Sequence, residues 1–437
     1  MPITTEQTCN LQQQTISRSR KLYITGLYLY ALTCHFSISA SQISLGLSLI
    51  GFIIELYHGR ATIKATPIDK PFAAFVFFAV LSLFRAENLA NAFFNLKSFL
   101  VIFVLYLAYW SDVDEKQKNR ITECFVFSAG LISLVSLAGD LFVLHIERRA
   151  QGFFSMSMTF GECQALAMLC GLFLLSRAKE KSFAKRLLLL ASFTASGFSV
   201  IFSMVRGAWL GFAAGSFILA ARYPRQVITF MLLAMLAIAP FAYEQPEIRD
   251  RISGINPFMS QATSQQVAAS SALQSSLIRL KIWQRGLTML QSNFQFGVGL
   301  ENVKIHYEKL MSEREKSEEP VWGHQHSNFM HFLVTSGMTG LIAFFYFILS
   351  ACFFFWHPTN SQNHNKNNLN IETVAIFLSF LVFGFSEFAW GDQEVCMMAM
   401  FLCGLFTCQS EACADAENAV SETVIPTANA SMFSRVV

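Results

Sequence analysis

Residues 327–356 read SNFMHFLVTSGMTGLIAFFYFILSACFFFW, without one Asp, Glu, Lys or Arg. A straight helix needs about 20 mostly apolar residues to cross a bilayer, and this run exceeds that. Outward from it, similar runs between polar breaks fall at about 22–38, 41–57, 70–84, 93–110, 121–144, 160–176, 186–204, 207–221, 226–243, 372–388 and 393–408. The expectation is therefore an all-α, polytopic bundle of about twelve membrane helices. The runs at 70–84, 207–221 and 393–408 are short for a straight crossing, which tilting or local bilayer thinning accommodates. Composition agrees. Of 437 residues 53% are hydrophobic, 45 are Phe and only 14% are charged, against about 25% charged in a soluble domain. These figures exclude a disordered chain, a disulfide-stapled secreted domain and an ordinary cytosolic enzyme. A net charge of +3 makes no case for nucleic acid.

Basic residues set the orientation, because Lys and Arg collect on the cytoplasmic side. With the N-terminus inside, the cytoplasmic segments hold eighteen Lys and Arg. The other short connections hold five: Arg85, Lys97, Arg148, Arg149 and Arg206. The expected layout is membrane helices 1–9 in 1–243, a large extracytoplasmic loop at 244–326, helices 10–12 in 327–408, and a disordered cytoplasmic tail at 409–437. The Ser/Gln/Ala-rich run at 260–276 reads as mobile. Ser39-Ala40-Ser41 mimics a signal-peptidase site, but an apolar run follows at once, so the first span reads as an uncleaved anchor. Ten cysteines show no CxxC spacing and sit mostly in apolar runs, as small buried hydrophobes do.

In so apolar a chain, charges at the outer ends of spans carry the chemical information, because an Arg near mid-bilayer costs about 2.5–3.5 kcal/mol. Arg206 lies in the tight turn Met204-Val205-Arg206-Gly207, followed by Leu210. It reads either as an anchor snorkelling to headgroups or as a guanidinium aimed at a phosphate. Leu273, Leu277, Leu280, Trp283, Leu287 and Leu290 predict an amphipathic helix over about 272–291, on the membrane surface or over the bundle. On its wheel Arg279 falls at the edge of the apolar stripe and faces inward, and Arg285 lies opposite and faces water. Arg279 too has an anchoring reading. His324-Gln325-His326-Ser327 marks the junction of loop and span, with Gly337 and Gly340 beyond it. In a continuous helix His326, Met330, Leu333, Gly337 and Gly340 share one face, and the glycines admit a neighbouring helix. His326 would then sit above that contact, near a helix N-terminus that favours an anion. A lone interfacial His also has a purely structural reading. No acidic or Cys ligand is spaced to complete a metal site with these histidines.

Two patterns are decoys. Asp112-Val113-Asp114 suggests a metal-dependent glycosyltransferase, but lies in a charged cytoplasmic connector. Gly297-Val298-Gly299 lacks the following Gly and preceding strand of a nucleotide loop.

His326-Ser327, nine residues, Gly337, two residues and Gly340 resemble the signature of the O-antigen ligase family. The Arg206-x-x-x-Leu210 element and the Ser276–Trp283 segment are similar to that family's, and Phe385-Ser386-Glu387 is similar in character. The resemblance implies a metal-independent, inverting membrane glycosyltransferase of GT-C type, without a cofactor, in the bacterial inner membrane with its site facing the periplasm. It implies that polysaccharide passes from undecaprenyl diphosphate to a sugar hydroxyl of lipid A–core, completing lipopolysaccharide. O-antigen polymerases and protein O-oligosaccharyltransferases share much of the motif. A flippase of lipid-linked sugars would instead line a central path with charge and often show inverted repeats; no repeat is visible here.

The residue types suit that chemistry. A departing diphosphate needs cations, and Arg binds two phosphate oxygens through its planar fork. Arg206 and Arg279 are the candidates, catalytic and substrate-binding at once. An attacking hydroxyl needs a proton acceptor, which His supplies near neutrality. His326 is the candidate, with His324 as a further substrate-binding participant; a donor role for His326 toward the diphosphate stays open.

Overall fold

The computed structural model describes residues 17–142, 149–178, 181–244, 246–253, 271–356 and 370–408. Most of the Ser/Gln/Ala-rich run and the whole tail after 409 lie outside these residues. Among them the secondary structure is helical throughout. In chain order, α1 spans Arg18–Thr33, α2 Ile38–Tyr57, α3 Asp69–Leu81, α4 Leu89–Asn95, α5 Ile102–Tyr109, α6 Glu115–Phe142, α7 Ser157–Ser176, α8 Phe183–Phe202 and α9 Arg206–Ala220. α10 spans Pro224–Glu244, α11 Pro246–Ser253, α12 Ser271–Gln291, α13 Val303–Lys309, α14 Glu313–Glu318, α15 Asn328–Trp356, α16 Ile371–Ser386 and α17 Gln393–Thr407. Six stretches among the described residues are long and apolar enough to cross a membrane: α2, Leu89–Tyr109, Glu115–Gly139, α7, α8 and α15. Shorter apolar helices, Pro224–Leu236, α16 and α17 among them, accompany these. The protein is a polytopic helical membrane protein.

α7 is the central helix, with 89% of its apolar window buried. It packs on α8, α9, α16 and α17. Lipid tails are as apolar as Leu, so helices in a bilayer associate through close fit rather than escape from water. α9 and α16 show this. Gly211 leaves no room for a Cβ against the Phe383 ring, and one at Gly215 would come within 3.0 Å of the Ala375 carbonyl. That contact sets Arg206, first residue of α9, beside the C-terminus of α16.

The turn after α16 is held from inside. Trp390 is 2% exposed and ringed by Phe75, Phe332, Phe344 and Phe347, each edge-on with centroids 5.8–6.1 Å away. Its backbone N–H donates to Asn328 Oδ1 at 2.9 Å, and Ser327 Oγ donates to the Gly384 carbonyl at 3.2 Å. These bonds pin the 387–392 turn against the start of α15.

α15 departs from the expected continuous helix. Gly337 takes φ 69° and ψ −168°, which breaks the helix, and its neighbour is a loop rather than another helix. A Cβ there would collide with the Gln295 carbonyl. A break inside a membrane protein strands backbone groups that lipid cannot satisfy. Residues 294–299 satisfy them. Val298 N–H donates to Val334 O at 2.8 Å, Gly299 N–H to Thr335 O at 2.9 Å, and Met338 N–H to Phe294 O at 2.9 Å. Gly297-Val298-Gly299 thus serves as backbone cover for the broken helix. A Cβ on Gly340 would meet Ser336 of its own helix, so it too admits no neighbouring helix.

Residues 271–318 build a small second core of Ile282, Met289, Val298, Val303, Tyr307 and Met311 against Val334 of α15. Here the expected outward Arg285 is corrected. It is 9% exposed, lies over the Tyr307 ring at 4.7 Å, donates to Tyr307 Oη at 2.7 Å and pairs with Glu315. A lone helical wheel assigns that face to water, but α13 and α14 fold over it. Lys281 adds ion pairs to Glu315 at 2.9 Å and Glu319 at 2.7 Å. Leu277, Leu280 and Leu287 form the exposed flank of α12.

Candidate functional site

Arg206, Arg279, His324 and His326 gather where α9, α12, the start of α15 and the end of α16 meet. Arg206 opens α9 after Met204, which holds a left-handed φ of 56° that non-glycine residues seldom adopt. Arg149 braces this turn, its Nε donating to the Ser203 carbonyl at 2.9 Å and its Nη2 to the Met204 carbonyl at 3.3 Å. Gly207 lets α16 approach, since a Cβ there would lie 3.0 Å from Ser386 Oγ. Arg206 Nη2 donates to Ser276 Oγ at 2.9 Å.

The neighbouring serine carries the next link. Arg279 Nη1 donates to Ser275 Oγ at 2.6 Å and Nε to the Ser386 carbonyl at 2.9 Å, while Nη2 pairs with Glu387 Oε1. The other oxygen of Glu387 meets His326 Nδ1 at 3.2 Å. Arg279, Glu387 and His326 thus form one connected run of side chains, and Arg206 reaches the same turn of α12 through Ser276, the backbone neighbour of Ser275. Glu387 and His326 are both buried, at 8% exposure each.

His326 is also left-handed, with φ 45°. This kink sits two residues before α15 begins at Asn328, where the chain turns from loop to helix. A carboxylate only accepts, so Nδ1 is the protonated nitrogen, and in the neutral imidazole Nε2 is then the one with the lone pair. Trp283, on α12, fixes the segment from the other side by donating its indole N–H to the Gln325 carbonyl at 2.7 Å. His324 lies beside His326 with ring centroids 4.3 Å apart. Burial, with the neighbouring His326 second, pulls its pKa down to about 4, so it is a neutral imidazole near pH 7.

Gly337 and Gly340 lie farther along α15, with the structural roles given above. Glu387 is the site residue that sequence reasoning passed over. Its only signal was the similarity in character of Phe385-Ser386-Glu387. A second carboxylate, Glu162 on α7, is 1% exposed beneath Gly207. Asp112, one of the decoys, pairs with Lys64 at 2.7 Å in the connector between α5 and α6. Among the described residues no group of three or more His, Cys, Asp or Glu side chains is arranged to hold a metal ion.

The fold and the gathered charges define a multi-pass membrane protein with a cationic, histidine-bearing site at one end of its bundle. Residues 187–345 match the family model Wzy_C, O-antigen ligase. Over those residues, a little over a third of the chain, the sequence is similar to that family. No curated protein matches it. The matched span includes Arg206, Arg279, His324, His326, Gly337 and Gly340; Glu387 and Glu162 fall outside it.

Proposed function

We propose that this protein is an O-antigen ligase. It transfers polysaccharide from undecaprenyl diphosphate to a sugar hydroxyl of lipid A–core, on the periplasmic face of the bacterial inner membrane. The observation that carries the reading is the contact run from Arg279 through Glu387 to His326, with Arg206 held on the same turn of α12. It brings two guanidinium groups near a histidine whose Nδ1 faces a carboxylate.

In this mechanism the acceptor oxygen attacks the anomeric carbon from the face opposite the diphosphate, so configuration inverts. Its proton passes to His326 Nε2, while the breaking C–O bond leaves its electron pair on the diphosphate. Arg206 and Arg279 offset the growing negative charge, the task a metal ion performs in other transferases. Glu387 holds the imidazole by accepting from Nδ1–H and stabilises the imidazolium that forms. It is a positioning residue, acting through His326 and Arg279. The carboxylate on Nδ1 suits a base that becomes an imidazolium as well as a charged donor to the diphosphate. A pH–rate profile separates them: a base loses activity below its titration, whereas a charged donor gains it.

The test is lipopolysaccharide banding in a ligase-deficient strain complemented with this chain. A restored polymer ladder on lipid A–core supports the ligase. A strain whose defect is a single capped repeat, corrected by this chain, identifies a polymerase. Transfer to pilin instead identifies a protein O-oligosaccharyltransferase, and lipid movement in vesicles without glycan transfer identifies a transporter.

A further inference from the structure

His326 separates two unlike surroundings. On the Nδ1 side lie Glu387 and, through it, the Arg279 guanidinium. The ring contacts of His326 are aromatic. Trp322 meets His326 at 73° with centroids 4.9 Å apart, His324 lies at 4.3 Å, and Phe388 stacks on His324 at 6.0 Å. Trp322, His324 and Phe388 are each half-buried.

The polar atoms of this wall are uncommitted. Trp110, Trp209 and Trp283 each donate the indole N–H to a backbone carbonyl, while that of Trp390, enclosed in the aromatic core, has no partner among the described residues. No protein group among the described residues takes the Trp322 N–H or bonds to either ring nitrogen of His324. The wall is also braced. Lys281 and Arg285 hold Glu315 and Glu319, and Trp322 follows Glu319 by three residues.

We propose that Trp322 and His324, backed by Phe388, form the subsite for the acceptor sugar. This deepens the glycosyl-transfer reading above and rests on it. A pyranose has an apolar C–H face and a rim of neutral hydroxyls. An indole supplies a flat apolar face with one donor at its edge, and a neutral imidazole supplies one donor and one acceptor. A diphosphate needs the opposite surroundings, fixed cations, which the Arg206–Arg279 side provides. A base that deprotonates the attacking hydroxyl has to reach the acceptor while the leaving group is held apart. His326 touches both the carboxylate–guanidinium pair and the aromatic wall, which meets that requirement.

The experiment uses the full-length protein in nanodiscs, with undecaprenyl-diphosphate-linked O-antigen as donor and lipid A–core lacking O-antigen as acceptor. Wild-type protein has first to transfer glycan to this acceptor; failure to do so overturns the ligase reading, whatever Trp322 does. Given transfer, Trp322→Ala is expected to raise the acceptor KM about tenfold, the scale of one aromatic contact, and to leave the donor KM unmoved. Trp322→Phe, which keeps a ring and loses the N–H, is expected to fall between the two. An acceptor KM unchanged in both variants overturns the proposal, as does an equal rise in the donor KM. If Trp322→Ala unfolds, Trp322→Phe decides alone: a selective rise in acceptor KM supports the subsite, and wild-type constants overturn it.

Discussion

Glu387→Gln removes one negative charge while keeping shape and one hydrogen-bond acceptor. In the wild type that charge lies 3.2 Å from His326 Nδ1 and also pairs with Arg279. At an effective dielectric of about 20, a unit charge pair at that distance attracts by about 5 kcal/mol. Each 1.36 kcal/mol is tenfold in rate, so the ceiling on the loss is between 10³- and 10⁴-fold. The amide dipole recovers part of this, and the imidazolium is only partly formed in the transition state. The expected outcome is a fall in kcat of about 10²–10³-fold, with little change in acceptor KM. The assay is single-turnover transfer in nanodiscs, run well below the melting midpoint of each variant. A double-mutant cycle with Arg279→Lys should be strongly non-additive, because both residues act within one contact run. Wild-type kcat in a folded Glu387→Gln variant would refute the reasoning, since His326 would then not need the carboxylate.

Arg206→Lys should cost about tenfold or more in kcat/KM for donor at normal expression, because an ammonium loses the two-pronged phosphate geometry; radiolabelled donor kinetics check it. Burial holds His324 at a pKa of about 4, below its unfolded value of about 6.5. The unfolded chain therefore binds a proton first as pH falls, so the His324 contribution to stability is full above about pH 6.5 and lost by about pH 4. Melting curves of wild type and His324→Gln should differ in slope across that window and run parallel above it. Gly337→Ala forces a Cβ into the Gln295 carbonyl at a left-handed φ, and should lower stability by about 1–3 kcal/mol, read as a lower melting midpoint.

The helical class was legible because a membrane span writes itself locally, in runs such as 327–356. Arg206, Arg279 and His326 stood out for a related reason: a charge or an imidazole at the edge of an apolar run is conspicuous without knowledge of its partner. Glu387 was not legible. Its role depends on residues 61 and 108 positions away, which only packing brings together. Arg285 was misassigned because a wheel records the faces of one helix and not what folds over them, here Tyr307 and Glu315. The break at Gly337 escaped notice because the sequence around it is apolar enough for an unbroken helix. The reason for the break lies at 294–299, where a separate segment supplies the missing backbone partners.

The most direct test of the convergent Arg206–Arg279–Glu387–His326 site is transfer by purified His326→Ala beside wild type, with lipid-linked O-antigen and lipid A–core in one reaction. Polymer-bearing lipid A–core from the wild type, and none from a folded His326→Ala protein, is the predicted result. An equal yield of that product from both proteins would contradict it.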